Sequence, residues 1–252
     1  EIREYGISRF NEACRSGVLR YTEEWRKTIT RLGRWVDFDD DYKTMDLSFM
    51  ESVWWVFGQL WDKDLVYQGV RVMPFSWRLS TPLSNFEANL DYRSVQDPSV
   101  TVRLPLQGDA DGASLLVWTT TPWTLPSNLA VAVGEEIAYA RVVTSDNEHV
   151  IVAQERIKDV LGKDVQIIET FLGSALVGRS YQPLFSYFEK DEKGHKREKA
   201  FEVIASSHVT TENGTGLVHM APAFGEDDFN ACKKIGLDPV DPIDEEGRFT
   251  DA

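Results

Sequence analysis

Two segments of this 252-residue chain concentrate side chains that could do chemistry. The first is Trp118-Thr119-Thr120-Thr121-Pro122-Trp123-Thr124-Leu125-Pro126-Ser127-Asn128. Consecutive threonines put hydroxyls on both faces of a strand end. Pro122 and Pro126 bias the residues before them towards extended backbone. A stiff polar loop rich in donors and acceptors is expected, although a strand end followed by a proline-shaped turn explains the same residues.

The second segment runs from Gly214-Thr215-Gly216-Leu217-Val218-His219 to Glu226-Asp227-Asp228-Phe229. A strand should end near Met220 and a helix begin near Asp227. Acidic residues in a first helical turn stabilise it by roughly 0.3–1 kcal/mol each. Lys233, Lys234 and Gly236 complete the matching C-terminal end, so a structural role alone accounts for the Asp pair. A strand histidine such as His219 is more often a hydrogen-bonded core residue than a base. Its alternative role is a pocket wall, because an imidazole is bulky enough to limit what enters. Glu226, Asp227 and Asp228 diverge at a helix start and make a poor metal site.

Other chemistries lack their signatures. There is no Gly-x-x-x-x-Gly-Lys phosphate loop and no Gly-x-Ser-x-Gly elbow. Gly214-Thr215-Gly216 lacks the third glycine of a dinucleotide fingerprint. The four histidines show no metal-ligand spacing. Cys14 and Cys232 cannot build a disulfide framework or a four-cysteine zinc site.

The elements that must position these residues fall into two textures. Residues 1–67 read as helical. Trp25, Ile29 and Leu32 follow Thr22 at helical spacing, with Gly33 as a stop. Ser48 and Glu51 have capping-box spacing ahead of Val53, Trp54, Val56, Phe57, Leu60 and Trp61. That helix is apolar nearly all round and should pack on more than one side. The remainder, 68–252, reads as short strands. Val70–Val72 and Val100–Leu104 alternate, and Ser114–Thr119, Leu129–Val133, Tyr139–Val143, His149–Ala153, Val165–Glu169, Phe201–Ala205 and Leu217–Met220 follow. Short helices are expected at Gln154–Leu161 and Asp227–Ile235, and an exposed hairpin tip or loose loop over Lys190–Lys199. Many strands with few helices predict an α+β domain built on a barrel or strongly curved sheet.

Composition bounds the rest. Hydrophobic residues at 42% and charged residues at 27% are ordinary for a folded domain. No apolar run approaches the ~20 residues of a membrane helix. Few cysteines and no signal peptide predict a reducing, cytoplasmic setting. The chain opens on Glu1 in mid-pattern, which predicts a piece of a larger protein. Lys and Arg number 27 against 41 Asp and Glu, a net charge of −14. That charge argues against broad affinity for nucleic acid.

The two segments together resemble the editing domain of isoleucyl-tRNA synthetases. Thr119 to Asn128 is similar to that family's threonine-rich peptide, and Gly214 to Phe229 to its second editing motif. Valyl and leucyl relatives typically carry Arg where this chain has Thr121, and lack the Pro-Trp-Thr-Leu-Pro run. Gly33-Arg34-Trp35-Val36-Asp37 and Pro82-Leu83-Ser84-Asn85-Phe86-Glu87 extend the resemblance over nearly the whole chain. The His-x-Gly-His and Lys-Met-Ser-Lys-Ser activation signatures are absent, so no aminoacyl-adenylate synthesis is expected. The cysteine-rich zinc knot of bacterial relatives is replaced by Phe75, Ser76, Trp77 and Arg78, so no metal or other cofactor is expected. That pattern resembles the eukaryote-like branch.

The resemblance implies a barrel-like editing domain with peripheral helices and an N-terminal helical segment. It implies hydrolysis of the ester joining valine to the isoleucine tRNA, with valyl-adenylate as a further substrate. It gives Asp228 the substrate ammonium group. Thr119, Thr120 and Thr121 would line the amino-acid pocket and hold the terminal adenosine and ester. Trp123 and Asn128 join the substrate-binding set, with Asn128 orienting the loop or water. His219 would be the wall that excludes isoleucine. Asp228, Thr120, Thr121 and His219 form the catalytic set. The implied partners are the 3′ end of the charged tRNA and the rest of a synthetase chain, with no membrane, in a monomer. Alternatives are a non-catalytic docking module for the tRNA end, a metal-dependent phosphoesterase using Glu226, Asp227 and Asp228, and an editing domain of valyl or leucyl type.

Overall fold

The computed structural model describes residues 2–250. They form two compact units divided after residue 69. The first holds α1 (Ile2–Tyr5), α2 (Ile7–Leu19), α3 (Thr22–Arg31) and α4 (Leu47–Trp61). No residue of these helices is buried, and Trp54, Trp55, Phe57 and Trp61 of α4 are exposed. The Ser48–Glu51 capping box does not form. Extended Asp46 is the N-cap instead, which leaves Ser48 inside the helix.

The second unit opens irregularly, and Val70–Val72 form no strand. Two alternating valines with no neighbouring edge to pair with do not sustain one. β1 (Phe75–Ser76) and β2 (Thr81–Pro82) make a minimal antiparallel pair. A true capping box then starts α5 (Asn85–Ala88): Glu87 N–H donates to Ser84 Oγ, and Ser84 N–H to Glu87 Oε2.

The sheet follows: β3 (Val100–Pro105), β4 (Ser114–Thr119), β5 (Ala130–Val133), β6 (Ala138–Val143), β7 (His149–Ala153), then α6 (Ile157–Leu161), β8 (Gln166–Leu172), β9 (Glu202–Ala205), β10 (Val218–Met220) and α7 (Glu226–Lys234). β4 is its hub. One edge pairs along its length with antiparallel β3. The other edge is shared, with parallel β7 at Ser114 and Leu115 and parallel β10 at Trp118. From β10 the sheet continues through antiparallel β5 to parallel β9. From β7 it continues through β6 to β8, bulging between Arg141 and Val142.

The β10 arm closes on itself. Ser180 bridges Glu202 beside β9, and Tyr181 bridges Leu106 just past β3. Gln182 N–H donates to the Pro105 carbonyl at 2.8 Å, and Gln107 N–H to the Ser180 carbonyl at 2.8 Å. The ring β3–β4–β10–β5–β9–Ser180–Gln182–β3 is thus continuous, which makes the fold α+β and barrel-like. Closure leaves no unpaired edge in that ring.

Alternation sorts the strand residues between two cores. Leu115 and Val117 join Leu104, Val131, Val203 and Met220 in the larger cluster. Leu116, between them, packs with Ala140, Val142, Val150, Val152 and Ile157. Lys190 bridges Lys196 in antiparallel fashion with Gly194 at φ +81°, which is the hairpin tip of the two alternatives expected over that stretch.

Candidate functional site

β4 and β10 are parallel neighbours, so the two chemistry-bearing segments leave the sheet from adjacent carboxyl ends. After Thr119 the chain forms a 3-10 turn over Pro122–Ser127. Pro122 suits its first position because its missing N–H would have no partner there. The second segment enters β10 through Gly214 and Gly216, both at positive φ. A Cβ on Gly214 would lie 2.6 Å from the Trp118 ring, and one on Gly216 would lie 2.4 Å from Ala153 Cβ. These glycines therefore serve close packing against β4 and β7.

A hydrogen-bond chain joins the two segments. His219 is 6% exposed. Its Nδ1 lies 2.8 Å from Asn128 Nδ2, and its Nε2 lies 2.9 Å from Thr124 Oγ1. Asn128 Nδ2 also donates to the Ala130 carbonyl at 2.9 Å, while Asn128 Oδ1 accepts from the Tyr181 hydroxyl at 2.6 Å. The opposite amide orientation would face Oδ1 with the Ala130 carbonyl, acceptor on acceptor. Asn128 must therefore donate to His219 Nδ1, which places the imidazole proton on Nε2. Nε2 donates to Thr124 Oγ1, and Thr124 Oγ1 donates to the Thr121 carbonyl at 2.8 Å. Thr121 N–H donates to Thr119 Oγ1 at 3.0 Å, and the Thr119 and Thr121 hydroxyls lie 3.2 Å apart.

Burial lowers the His219 pKa to about 4, so the ring is neutral near pH 7. A neutral ring with its proton on Nε2 cannot take a proton from Thr124. In a serine-type triad the tautomer is the reverse. The arrangement gives His219 no general-base role towards Thr124.

Asp228 is half-buried in the first turn of α7. Its Oδ2 accepts from Ala221 N–H at 2.8 Å, which ties it to the residue that follows β10. A Cβ on Gly225 would come within 3.3 Å of its Cγ, so glycine there leaves the carboxylate room. Burial is the main cause that raises its pKa, and the Ala221 N–H bond is the main cause opposing the shift. The carboxylate therefore gives up hydration, and a cation at that position would restore its charge balance.

Of the sequence-derived residues, the structure gathers Thr119, Thr121, Asn128 and His219 into one bonded network. Asp228 is held separately, through Ala221. Thr120 is exposed, as is Trp123 at 54%. Asp227 and Glu226 are exposed, and among the described residues no group of three or more His, Cys, Asp or Glu could hold a metal ion. Two network members had no sequence signal of their own. Thr124 lay inside the threonine segment without a role, and nothing marked Tyr181. A cleft of about 920 Å³ bordered by Gln107, Gln182, Lys196, Arg197 and Phe201 touches this network only through Tyr181.

Comparison with known proteins defines the class. The family model for class I tRNA synthetases (I, L, M and V) matches residues 1–123, and the chain belongs to this family. Within it, the chain is similar over 99% of its length to isoleucine–tRNA ligases, at 50% identity in Bdellovibrio bacteriovorus and 53% in Chlamydia caviae. It spans about a quarter of the length of these relatives, 24% in each case. The editing domain of the Plasmodium knowlesi cytosolic leucyl-tRNA synthetase aligns at 12% identity and a TM-score of 0.44, covering 56% of this chain and 64% of that one. That likeness is too distant to carry weight of its own. Among the described residues no helix is long and apolar enough to cross a membrane.

Proposed function

We propose that this chain performs post-transfer editing: it hydrolyses the ester between valine and the isoleucine tRNA, and valyl-adenylate where that reaches the site. The observation that supports this reading is that the threonine loop and the segment leading to Asp228 leave adjacent strand ends, and that the hydrogen-bond network joining the loop to His219 contains no nucleophile–base pair. An aminoacyl ester is already activated, so the site needs only to hold it and place water.

In this reading Asp228 binds the substrate ammonium by charge attraction in a confined site. Thr119, Thr120 and Thr121 hold the ester and terminal adenosine, with Trp123 alongside. Asn128 and His219 form the wall. The Nε2–H tautomer leaves the proton of the attacking water to the ribose hydroxyl beside the ester. A synthetic pocket cannot exclude an amino acid one methylene smaller by more than about 10–200-fold. Isoleucine against valine is itself a standard worked case of that limit. A second site that excludes by size supplies the rest. The partners are the acceptor end of the tRNA and the rest of a longer synthetase chain, to which the exposed apolar face of α4 is suited, in the cytoplasm and as a monomer.

The test is deacylation of Val-tRNA against Ile-tRNA, with Asp228→Ala as control. Hydrolysis of Val-tRNA alone, lost in the control, supports the reading. Binding of the tRNA end without hydrolysis favours a docking module. Loss of activity with chelator favours metal chemistry at Glu226, Asp227 and Asp228.

A further inference from the structure

Tyr181 stands far from both motifs in sequence, yet its hydroxyl heads the chain that ends in the threonine loop. Its side chain is fully buried. Ring contact with Phe201 at 6.2 Å, edge to face, fixes its plane. The backbone on either side is pinned by barrel closure, through Gln182 N–H to Pro105 and Tyr181 N–H to the Phe201 carbonyl at 2.9 Å. The hydroxyl is thus delivered by the rigid ring of strands, not by a loop.

We infer that Tyr181 is a positioning residue for substrate selection: its hydroxyl locks the Asn128 amide, and the amide locks His219 as the neutral Nε2–H tautomer in one ring orientation. The inference rests on the editing reading for its effect on substrates, while the tautomer stands on geometry alone. Each bond in the chain has one permitted direction. Tyr181 donates to Asn128 Oδ1, Asn128 donates to His219 Nδ1, His219 donates to Thr124 and Thr124 donates to the Thr121 carbonyl. Removing the first donor leaves Asn128 Oδ1 buried and unpaired, which costs the full desolvation of that group. The amide then gains by turning or shifting towards other donors. His219 loses its fixed partner at Nδ1, and both tautomers become accessible. A wall free to rotate no longer discriminates by one methyl group, although the ester-holding groups remain in place.

The test uses the whole chain, Tyr181→Phe, and two readouts. The first is the ¹⁵N spectrum of the His219 imidazole. The wild type is expected to show a pyridine-type Nδ1 and a pyrrole-type Nε2, and Tyr181→Phe averaged or mixed signals. The second is hydrolysis of Val-tRNA and Ile-tRNA. The variant is expected to keep Val-tRNA turnover within a few-fold and to lose at least about tenfold in discrimination, through a rise in Ile-tRNA hydrolysis. Thr124→Ser keeps the acceptor hydroxyl and should leave the tautomer as in the wild type. A wild-type imidazole protonated on Nδ1 overturns the inference. So does a Tyr181→Phe protein with wild-type spectrum and discrimination. A wild type that leaves both esters intact overturns the editing reading and with it the role in selection. The spectrum then still decides whether Tyr181 sets the tautomer.

Discussion

Asn128 Nδ2 stands 2.8 Å from His219 Nδ1, so an amide and not a carboxylate backs the imidazole. In a hydrolytic triad a carboxylate accepts from that nitrogen and turns Nε2 into a proton acceptor. Here the amide donates, and Nε2 becomes a donor. One atom's identity separates a proton acceptor from a proton donor at Nε2.

That relationship predicts the result of Asn128→Asp. A carboxylate cannot donate to Nδ1, so the imidazole proton should move to Nδ1 and the His219 pKa should rise. The new charge sits buried against the Ala130 carbonyl, and a loss of about 2–4 kcal/mol in stability is expected. Imidazole ¹⁵N shifts against pH, with chemical denaturation, check both. An unmoved tautomer refutes the assigned direction of the bond.

Stability should depend on pH through His219. Unfolded, the imidazole takes its proton near pH 6.5; folded, near 4. Between those values the unfolded chain holds more protons, so stability rises with pH across that window and is fully present above 6.5. The swing is about 3 kcal/mol. Asp109, held well below the usual carboxylate range by Arg141, loses its contribution only below this window. Denaturation of the wild type and His219→Gln at pH 4, 5, 6 and 7 measures the difference, which should shrink towards acid.

Asp228→Asn should separate stability from activity. The raised pKa means that the charged form costs folding energy, a cost that grows as pH rises through the raised value. Asparagine keeps an acceptor for Ala221 N–H. Val-tRNA deacylation should fall by at least about 100-fold, on the scale of losing a specific ionic contact worth roughly 3 kcal/mol, while Tm is not lowered. A variant with full deacylation would remove the ammonium anchor from the mechanism.

His219→Ala should admit the larger substrate. It also removes one of the two hydrogen-bond partners of Asn128 Nδ2 and of Thr124 Oγ1 and leaves a cavity, so a stability cost of about 2–4 kcal/mol accompanies it. Ile-tRNA hydrolysis by the folded variant is the readout. If Ile-tRNA is spared while Val-tRNA is cleaved, size exclusion resides elsewhere.

The acidity of the chain predicts weak gripping of RNA. With a net charge of −14, the chain should bind whole tRNA weakly and with a shallow dependence of log Kd on log salt. The phosphate-rich body of the tRNA would be held elsewhere in a longer synthetase. Tight, steeply salt-dependent binding by this chain alone would contradict that division.

Much of this was legible from local pattern. Ser114–Thr119 and His149–Ala153 are strands at the residues where β-branched and apolar side chains begin and end, because strand propensity and alternation are short-range properties. The acidic start and basic end of α7 were equally plain. Val70–Val72 and the Ser48 cap misled for the complementary reason: a strand needs a neighbour, and a cap depends on which residue first leaves the helix. The types and order of the site residues were set by sequence as well. What tertiary structure alone decided is their chemical state. The Tyr181–Asn128 and Asn128–His219 bonds join residues 53 and 91 positions apart, and closure of the barrel makes them neighbours. A tautomer, a lowered imidazole pKa and a carboxylate short of water are properties of surroundings, and those surroundings exist only once distant strands have paired.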